Sequence, residues 1–168
     1  LSRCLLRRAA DIMVPKRFDW FRRDAMTERH DGSCLCGAVR FHTEGALRGV
    51  VYCHCSQCRK QTGLYYAATD VDVCNLAIEG EDSLTWYAAS GFAKLGFCKT
   101  CGSALFWKRD GADRVSILAG AFDLPSGLAA ERHIFVAGKG DFYAIADGLP
   151  QHARGSPDII VAGSDAQE

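Results

Sequence analysis

Seven of the nine cysteines in this chain of 168 residues fall into three tight clusters: Cys34 with Cys36, then Cys53, Cys55 and Cys58, then Cys98 with Cys101. No other feature restricts the fold as strongly, because thiols this close must either pair or share an ion. Cysteines one or two residues apart make poor disulfide partners, the total is odd, and the opening segment does not read as a secretory signal. A metal is the better reading. Thiols at such spacings chelate without strain, since a tight turn can aim both sulfurs at a point about 2.3 Å from each.

The clusters divide as four plus three. The two pairs, far apart in sequence, can close one tetrahedral site from Cys34, Cys36, Cys98 and Cys101, which would be structural. The compact trio Cys53, Cys55 and Cys58 can then hold a second zinc with its fourth position open, the coordination that catalytic zinc keeps for water or substrate. Gly37 and Gly102 directly follow the paired cysteines and are expected to turn backbone N–H groups towards thiolate sulfurs. His54 competes as a fourth ligand of the trio, but in an extended C-H-C segment it points away from its neighbours, so a packed or hydrogen-bonding role is expected.

From about residue 30 the chain reads as short strands separated by glycines: 38–43, 49–53, 65–70, 75–80, 84–89, 103–108 and 115–120 are rich in β-branched and aromatic residues. Little has a helical period. The best candidate is 56–62, with Ser56 as its expected N-cap and Gly63 as its stop. The fold is therefore expected to be mainly β, with one or two short helices. At 48% hydrophobic the chain is long enough for one domain with a sizeable core.

Formal net charge is zero, which argues against a general nucleic-acid binder, and no run is long and apolar enough to suggest a membrane helix. The charge is uneven. Residues 1–25 carry seven Lys or Arg against three Asp, a surplus of four that the remainder balances. Residues 1–27 are read as a poorly packed basic extension, with Met26 as an alternative start and Cys4 outside the chemistry. Residues 28–156 are read as the zinc-binding domain and 157–168 as a loose tail.

The stretches "GSCLCGAVRF" (32–41), "CHCSQCRKQTG" (53–63), "FCKTCGSALFW" (97–107), "AGAFD" (119–123) and "HIFVAGKGDFYAIADGLP" (133–150) together resemble the glutathione-dependent formaldehyde-activating enzyme family, or centromere-protein-V-like domain. The resemblance covers roughly residues 30–150. It implies an Mss4-like fold of small β-sheets stapled by zinc, and the condensation of glutathione with formaldehyde to S-hydroxymethylglutathione. It also implies the division already reached: Cys34, Cys36, Cys98 and Cys101 around a structural zinc, with Cys53, Cys55 and Cys58 around a catalytic one.

On that basis the expected activity is zinc-dependent carbon–sulfur lyase or synthase chemistry on a small thiol and a small carbonyl. Arg59 and Lys60, next to Cys58, are candidates to bind a carboxylate of a glutathione-like thiol. Tyr65, Tyr66, Phe122 and Phe135 are candidate pocket walls, His133 is a candidate proton relay or core residue, and Asp123 and Asp147 read as structural. Three other classes stay open: a non-catalytic module in which a fourth protein ligand closes the trio; a sulfoxide reductase using Cys74, which stands alone in the sequence; and a nucleic-acid module joining the zinc scaffold to the basic N-terminal segment, disfavoured because the rest of the chain lacks aromatic and basic interleaving. The default compartment is the cytoplasm.

Overall fold

A computed structural model describes residues 28–156, so the basic extension and the tail lie outside the described residues. Ten strands form two sheets. The smaller is antiparallel and contains β1 (Arg29–Ser33), β2 (Arg40–Glu44) and β5 (Leu76–Glu79), with β2 in the middle. The larger has seven strands in the order β10 (Ala130–Ile134), β3 (Val50–Cys53), β4 (Tyr66–Asp72), β9 (Arg114–Leu118), β8 (Ala104–Arg109), β7 (Ala93–Cys98) and β6 (Leu84–Ala88). Every pairing in it is antiparallel except that of β10 with β3.

The mainly β expectation holds, and each of the seven stretches picked out by β-branched and aromatic content carries a strand. Three further strands had no such signal. β1 and β10 are the end strands of their sheets and are rich in charged and polar residues, and each makes one further bridge outside the strands, Gly32 with Phe122 and His133 with Gln151. β7 contains Gly96 in its interior, and a Cβ there would come within 3.0 Å of the Trp86 ring and 3.1 Å of the Phe106 side chain. The glycine lets Trp86 and Phe106 stack across β7 with centroids 6.0 Å apart.

The core lies between the sheets. Phe41 of β2 meets Phe106 of β8 edge to face at 5.5 Å, and Phe122 packs against Phe41 at 5.2 Å. Val39, Leu105, Val115 and Ile117 fill the space around them, and Cys34 and Cys98 are buried in the same cluster. The first and third cysteine clusters thus sit where the sheets join. No helix among the described residues is long and apolar enough to cross a membrane.

Among the described residues one α-helix, α1 (Ser56–Thr62), follows β3 over the expected span. Its cap differs from expectation: Cys55, not Ser56, is the N-cap residue, and its sulfur accepts the N–H of Cys58 at 3.4 Å. A thiolate can take the place of the usual hydroxyl or carboxylate because it too offers an acceptor to the unpaired N–H groups of the first turn. Gly63, left-handed, ends the helix as expected.

Candidate metal centres and the adjoining cavity

The four paired cysteines converge. The sulfurs of Cys34, Cys36, Cys98 and Cys101 all lie within 4.8 Å of one another, with Cys34 to Cys36 at 3.6 Å and Cys36 to Cys98 at 3.8 Å. Four sulfurs at about 2.3 Å from one zinc would stand roughly 3.8 Å apart along tetrahedral edges. The donor set therefore fits zinc without rearrangement.

Turn geometry delivers these sulfurs and, as expected of the glycines, lets nearby backbone N–H groups reach them. Gly37 and Gly102 take positive φ, at 73° and 76°. Their own N–H groups go to the carbonyls of Cys34 and Cys98, at 3.0 and 2.8 Å, and not to sulfur. The sulfur-directed donors come one or two residues later: the Val39 N–H reaches the Cys34 sulfur at 3.3 Å, and backbone N–H groups of Ala38 and Ser103 act on Cys36 and Cys101. The Ser103 hydroxyl lies 3.2 Å from the Cys101 sulfur and, with the Ser103 N–H, pushes that thiol down to about 5. The glycines shape the turn, and the residues after them supply the charge-dispersing bonds.

The trio is a local structure. β3 ends at Cys53, the chain turns through His54, and Cys55 and Cys58 sit at the start of α1, so the three sulfurs also fall within 4.8 Å of one another. Among the described residues no further His, Cys, Asp or Glu joins them. Hydrogen bonds from the Cys53 and Cys58 side chains, then from the N–H groups of Cys58 and Gln57, push the Cys55 thiol down to about 3. Cys53, which donates towards Cys55, is pushed up to about 12, and Cys58 is raised by both neighbours. Cys55 is the sulfur that carries charge first, and the group as a whole is a soft donor set suited to zinc.

A cavity of about 120 Å³ opens beside the trio, lined by Cys53, Cys55 and Cys58. Its walls come from Val51, Tyr66, Ala68, Phe92, Trp107 and Ile134. Phe135 also lines it from a left-handed backbone conformation, φ 54°. The cation at its edge, Arg48, is held by Asp70 at 3.2 Å. Tyr66 is only 4% exposed, and its hydroxyl has no hydrogen-bond partner among the described residues.

The four aromatic wall candidates separate. Tyr66 and Phe135 line this cavity, while Phe122 belongs to the core between the sheets. Tyr65 lies on the other side of β3 and β4, against Tyr52 at 4.9 Å and His54 at 5.1 Å. Arg59 and Lys60 are both on α1 but neither lines the cavity. Arg59 bears electrostatically on Tyr143, and Lys60 is exposed beside a separate groove with Gln57 and Tyr87. Wall residues such as Trp107, Phe92 and Ala68 carried no signal, because they are gathered from separate strands and a loop.

On the face opposite the trio, His54 is fully buried and does not approach the sulfurs' side, as its alternation with Cys53 requires. In the neutral tautomer of His133 that donates Nε2–H to Asp147 at 2.9 Å, Nδ1 of His133 accepts from Nε2–H of His54 at 2.8 Å. Nδ1 of His54 then accepts the Tyr143 hydroxyl. Burial, then the neighbouring charges of His133 and Lys139, pushes His54 down to about 4, which keeps it neutral in this chain. His133 is thereby a buried bonding residue, and Asp147 anchors it.

Cys74 does not stand alone: it is disulfide-bonded.

Residues 29–138 match the family model described as glutathione-dependent formaldehyde-activating enzyme. An uncharacterised lyase of Schizosaccharomyces pombe is 27% identical over 119 residues, which are 70% of this chain and 86% of that protein. A Rhodobacter sphaeroides protein of known crystal structure is similar with a TM-score of 0.46 and 22% identity, over 73% of this chain and 98% of the other.

Proposed function

Because this chain belongs to the glutathione-dependent formaldehyde-activating enzyme family, we propose that it is a zinc-dependent carbon–sulfur lyase that, in the addition direction, joins a thiol such as glutathione to a small aldehyde such as formaldehyde. One observation carries this reading: four sulfurs meet at one group, but three meet at the other, and those three border a cavity. The first arrangement is complete for tetrahedral zinc and suits a structural role in the core. The second leaves a coordination position for a reactant.

Cys53, Cys55 and Cys58 would hold the zinc, which would supply that position and lower the pKa of a thiol entering it. The chain's own residues do the rest. N–H groups at the start of α1, directed at Cys55, spread the charge of a group that already holds three thiolates. Apolar walls keep water away from the reacting sulfur and strengthen the electrostatics within. Arg59 and Lys60, outside the cavity on α1, offer cations to the carboxylates of a glutathione-like thiol whose polar body stays outside. In the addition a C–S bond forms, the carbonyl π pair moves to oxygen, and the proton released by the thiol ends on that oxygen.

The test is metal stoichiometry and sulfur coordination, by X-ray absorption, in anaerobically purified protein beside Cys55→Ser. Serine is a good helix N-cap, so the variant keeps α1 while replacing a soft ligand with a hard one. Two zincs in the parent, one in the folded variant, and an added sulfur on glutathione addition are expected. One zinc in the parent, or two that never gain sulfur with any thiol, would leave a zinc-stapled binding domain as the account.

A further inference from the structure

The cavity beside the trio is larger than formaldehyde requires, and its lining includes a buried hydroxyl, that of Tyr66, without a hydrogen-bond partner among the described residues. A cavity of about 150 Å³ accommodates benzene. By that measure the 120 Å³ here has room for roughly four or five carbon atoms, whereas formaldehyde supplies one carbon and one oxygen. Most of the wall suits hydrocarbon: Val51, Ala68, Phe92, Trp107 and Ile134 present apolar surface, Gln57 and Ser116 add polar atoms, and Arg48 forms an ion pair with Asp70 at 3.2 Å.

Within this lining the Tyr66 hydroxyl is buried without a partner, close enough to Cys53 and Cys58 for their charges to act on it. A buried hydroxyl left unpaired is costly, so its persistence calls for a ligand. The ring cannot simply turn away, because it is buried in one cluster with Ala68 and Leu95, against which Cys53, Cys58 and Trp107 also pack.

We propose that the cavity takes an aldehyde bearing a compact apolar substituent of about four carbons, and that the Tyr66 hydroxyl donates a hydrogen bond to its oxygen. The assignment deepens the reaction proposed above and rests on it for the identity of the reacting group. The substituent fills the space between Trp107, Ala68 and Ile134, and the carbonyl carbon faces the trio. When sulfur adds to that carbon, the π electron pair passes to the oxygen beside Tyr66. The proton that the thiol gave up is returned to the same oxygen, yielding a neutral hemithioacetal. Tyr66 keeps its own proton from start to finish and strengthens its bond as charge builds on the oxygen, which makes it a transition-state donor.

The experiment uses the full chain with zinc bound and needs no turnover for its first readout. Binding of 3-methylbutanamide, an unreactive carbonyl analogue with a four-carbon substituent, is measured by calorimetry in the parent, Tyr66→Phe and Ala68→Leu, with zinc content and thermal midpoint recorded for each. The amide is expected to bind the parent, to bind Tyr66→Phe about ten-fold or more weakly, and to lose binding to Ala68→Leu, which fills the cavity. Tyr66→Phe should keep its zinc and melt no lower than the parent, since the hydroxyl it loses bonds to nothing. In turnover, KM should fall from ethanal through propanal to 3-methylbutanal, roughly four-fold per added carbon, and rise again with octanal. Absence of amide binding to the parent, equal binding by Tyr66→Phe, or KM indifferent to chain length overturns the proposal. If the amide binds in a Tyr66-dependent way but no thiol and aldehyde are joined, the cavity assignment survives and the proposed reaction is what fails.

Discussion

The two cysteine groups use the same ligand at similar separations, yet their settings differ in nearly every other respect. Cys34, Cys36, Cys98 and Cys101 come from two turns 62 residues apart, two of the four are buried, and the group lies where the three-stranded and seven-stranded sheets share a core. Cys53, Cys55 and Cys58 come from one strand end and the first turn of one helix, all three are half-buried, and they face a cavity. A metal in the first group closes a long loop and joins two layers. One in the second joins nothing that the backbone does not already join. The contrast teaches that sequence separation between ligands, more than ligand type, marks which group the fold depends on.

The sharpest way to break that comparison is to remove one ligand from each group. Cys98→Ser is expected to abolish folding: a structural zinc site contributes about 10–16 kcal/mol, against a net stability of about 5–15 kcal/mol for a whole domain. Circular dichroism and a loss of cooperative melting would report it. A Cys98→Ser protein that melts cooperatively near the parent's midpoint would mean that the four-sulfur group is dispensable and the comparison is false. Cys55→Ser, by contrast, should fold.

A smaller effect is expected behind the trio. His54 lies between Cys53 and Cys55 in the chain and is held by Tyr143 and His133, so these bonds fix the segment from which two sulfurs project. His54→Phe removes both bonds and leaves the buried Nδ1 of His133 without its donor, a cost of about 1–3 kcal/mol. Zinc affinity of the trio should fall about ten-fold, while the four-sulfur group keeps its metal through the same chelator titration. Equal loss from both groups would show that His54 supports the domain generally and does not position the trio.

The contrast between the two groups was legible in the sequence because cysteine spacing is a local quantity. Seven strands were legible for a related reason: β-branched and aromatic runs mark buried strands wherever they pack. β1, β7 and β10 were not, since "RHDGS" and "AERHI" are polar edges and "AKLGFC" depends on Gly96 for a cross-strand ring contact visible only in three dimensions. The cavity escaped for a similar reason. Its wall is assembled from β3, α1, β4, β8, β9, β10 and residues between elements such as Arg48, Phe92 and Phe135, and no motif records such a gathering. Strand alternation did contain one usable clue: Tyr66 opens β4 and Tyr65 directly precedes it, so extended backbone lets only one of them share a face with Cys53. The Cys55 cap was hidden by the habit of assigning caps to hydroxyls, although the thiol sat one residue before the expected one.

The smallest expected effect tests whether the cavity side depends on an anchor that touches neither metal group. Asp70 of β4 accepts from Arg114 at 2.6 and 3.1 Å and lies 3.2 Å from Nε of Arg48, which lines the cavity. Burial alone would raise its carboxyl, but the Arg114 hydrogen bond and the charges of Arg48 and Arg114 outweigh burial and leave it below its ordinary 3.8. A carboxyl depressed in the folded state binds fewer protons there than in the unfolded chain, so stability rises with pH across the interval between the two values. The contribution is present above the unfolded value and is lost as pH falls through the folded one. Asp70→Asn should therefore cost on the order of 1 kcal/mol at neutral pH, and the gap from the parent should narrow as both are melted at progressively lower pH below about 4. A gap that stays constant with pH would mean that Asp70 acts through shape alone. If amide binding also weakens in this variant while neither zinc is lost, Arg48 is the link between the anchor and the cavity wall.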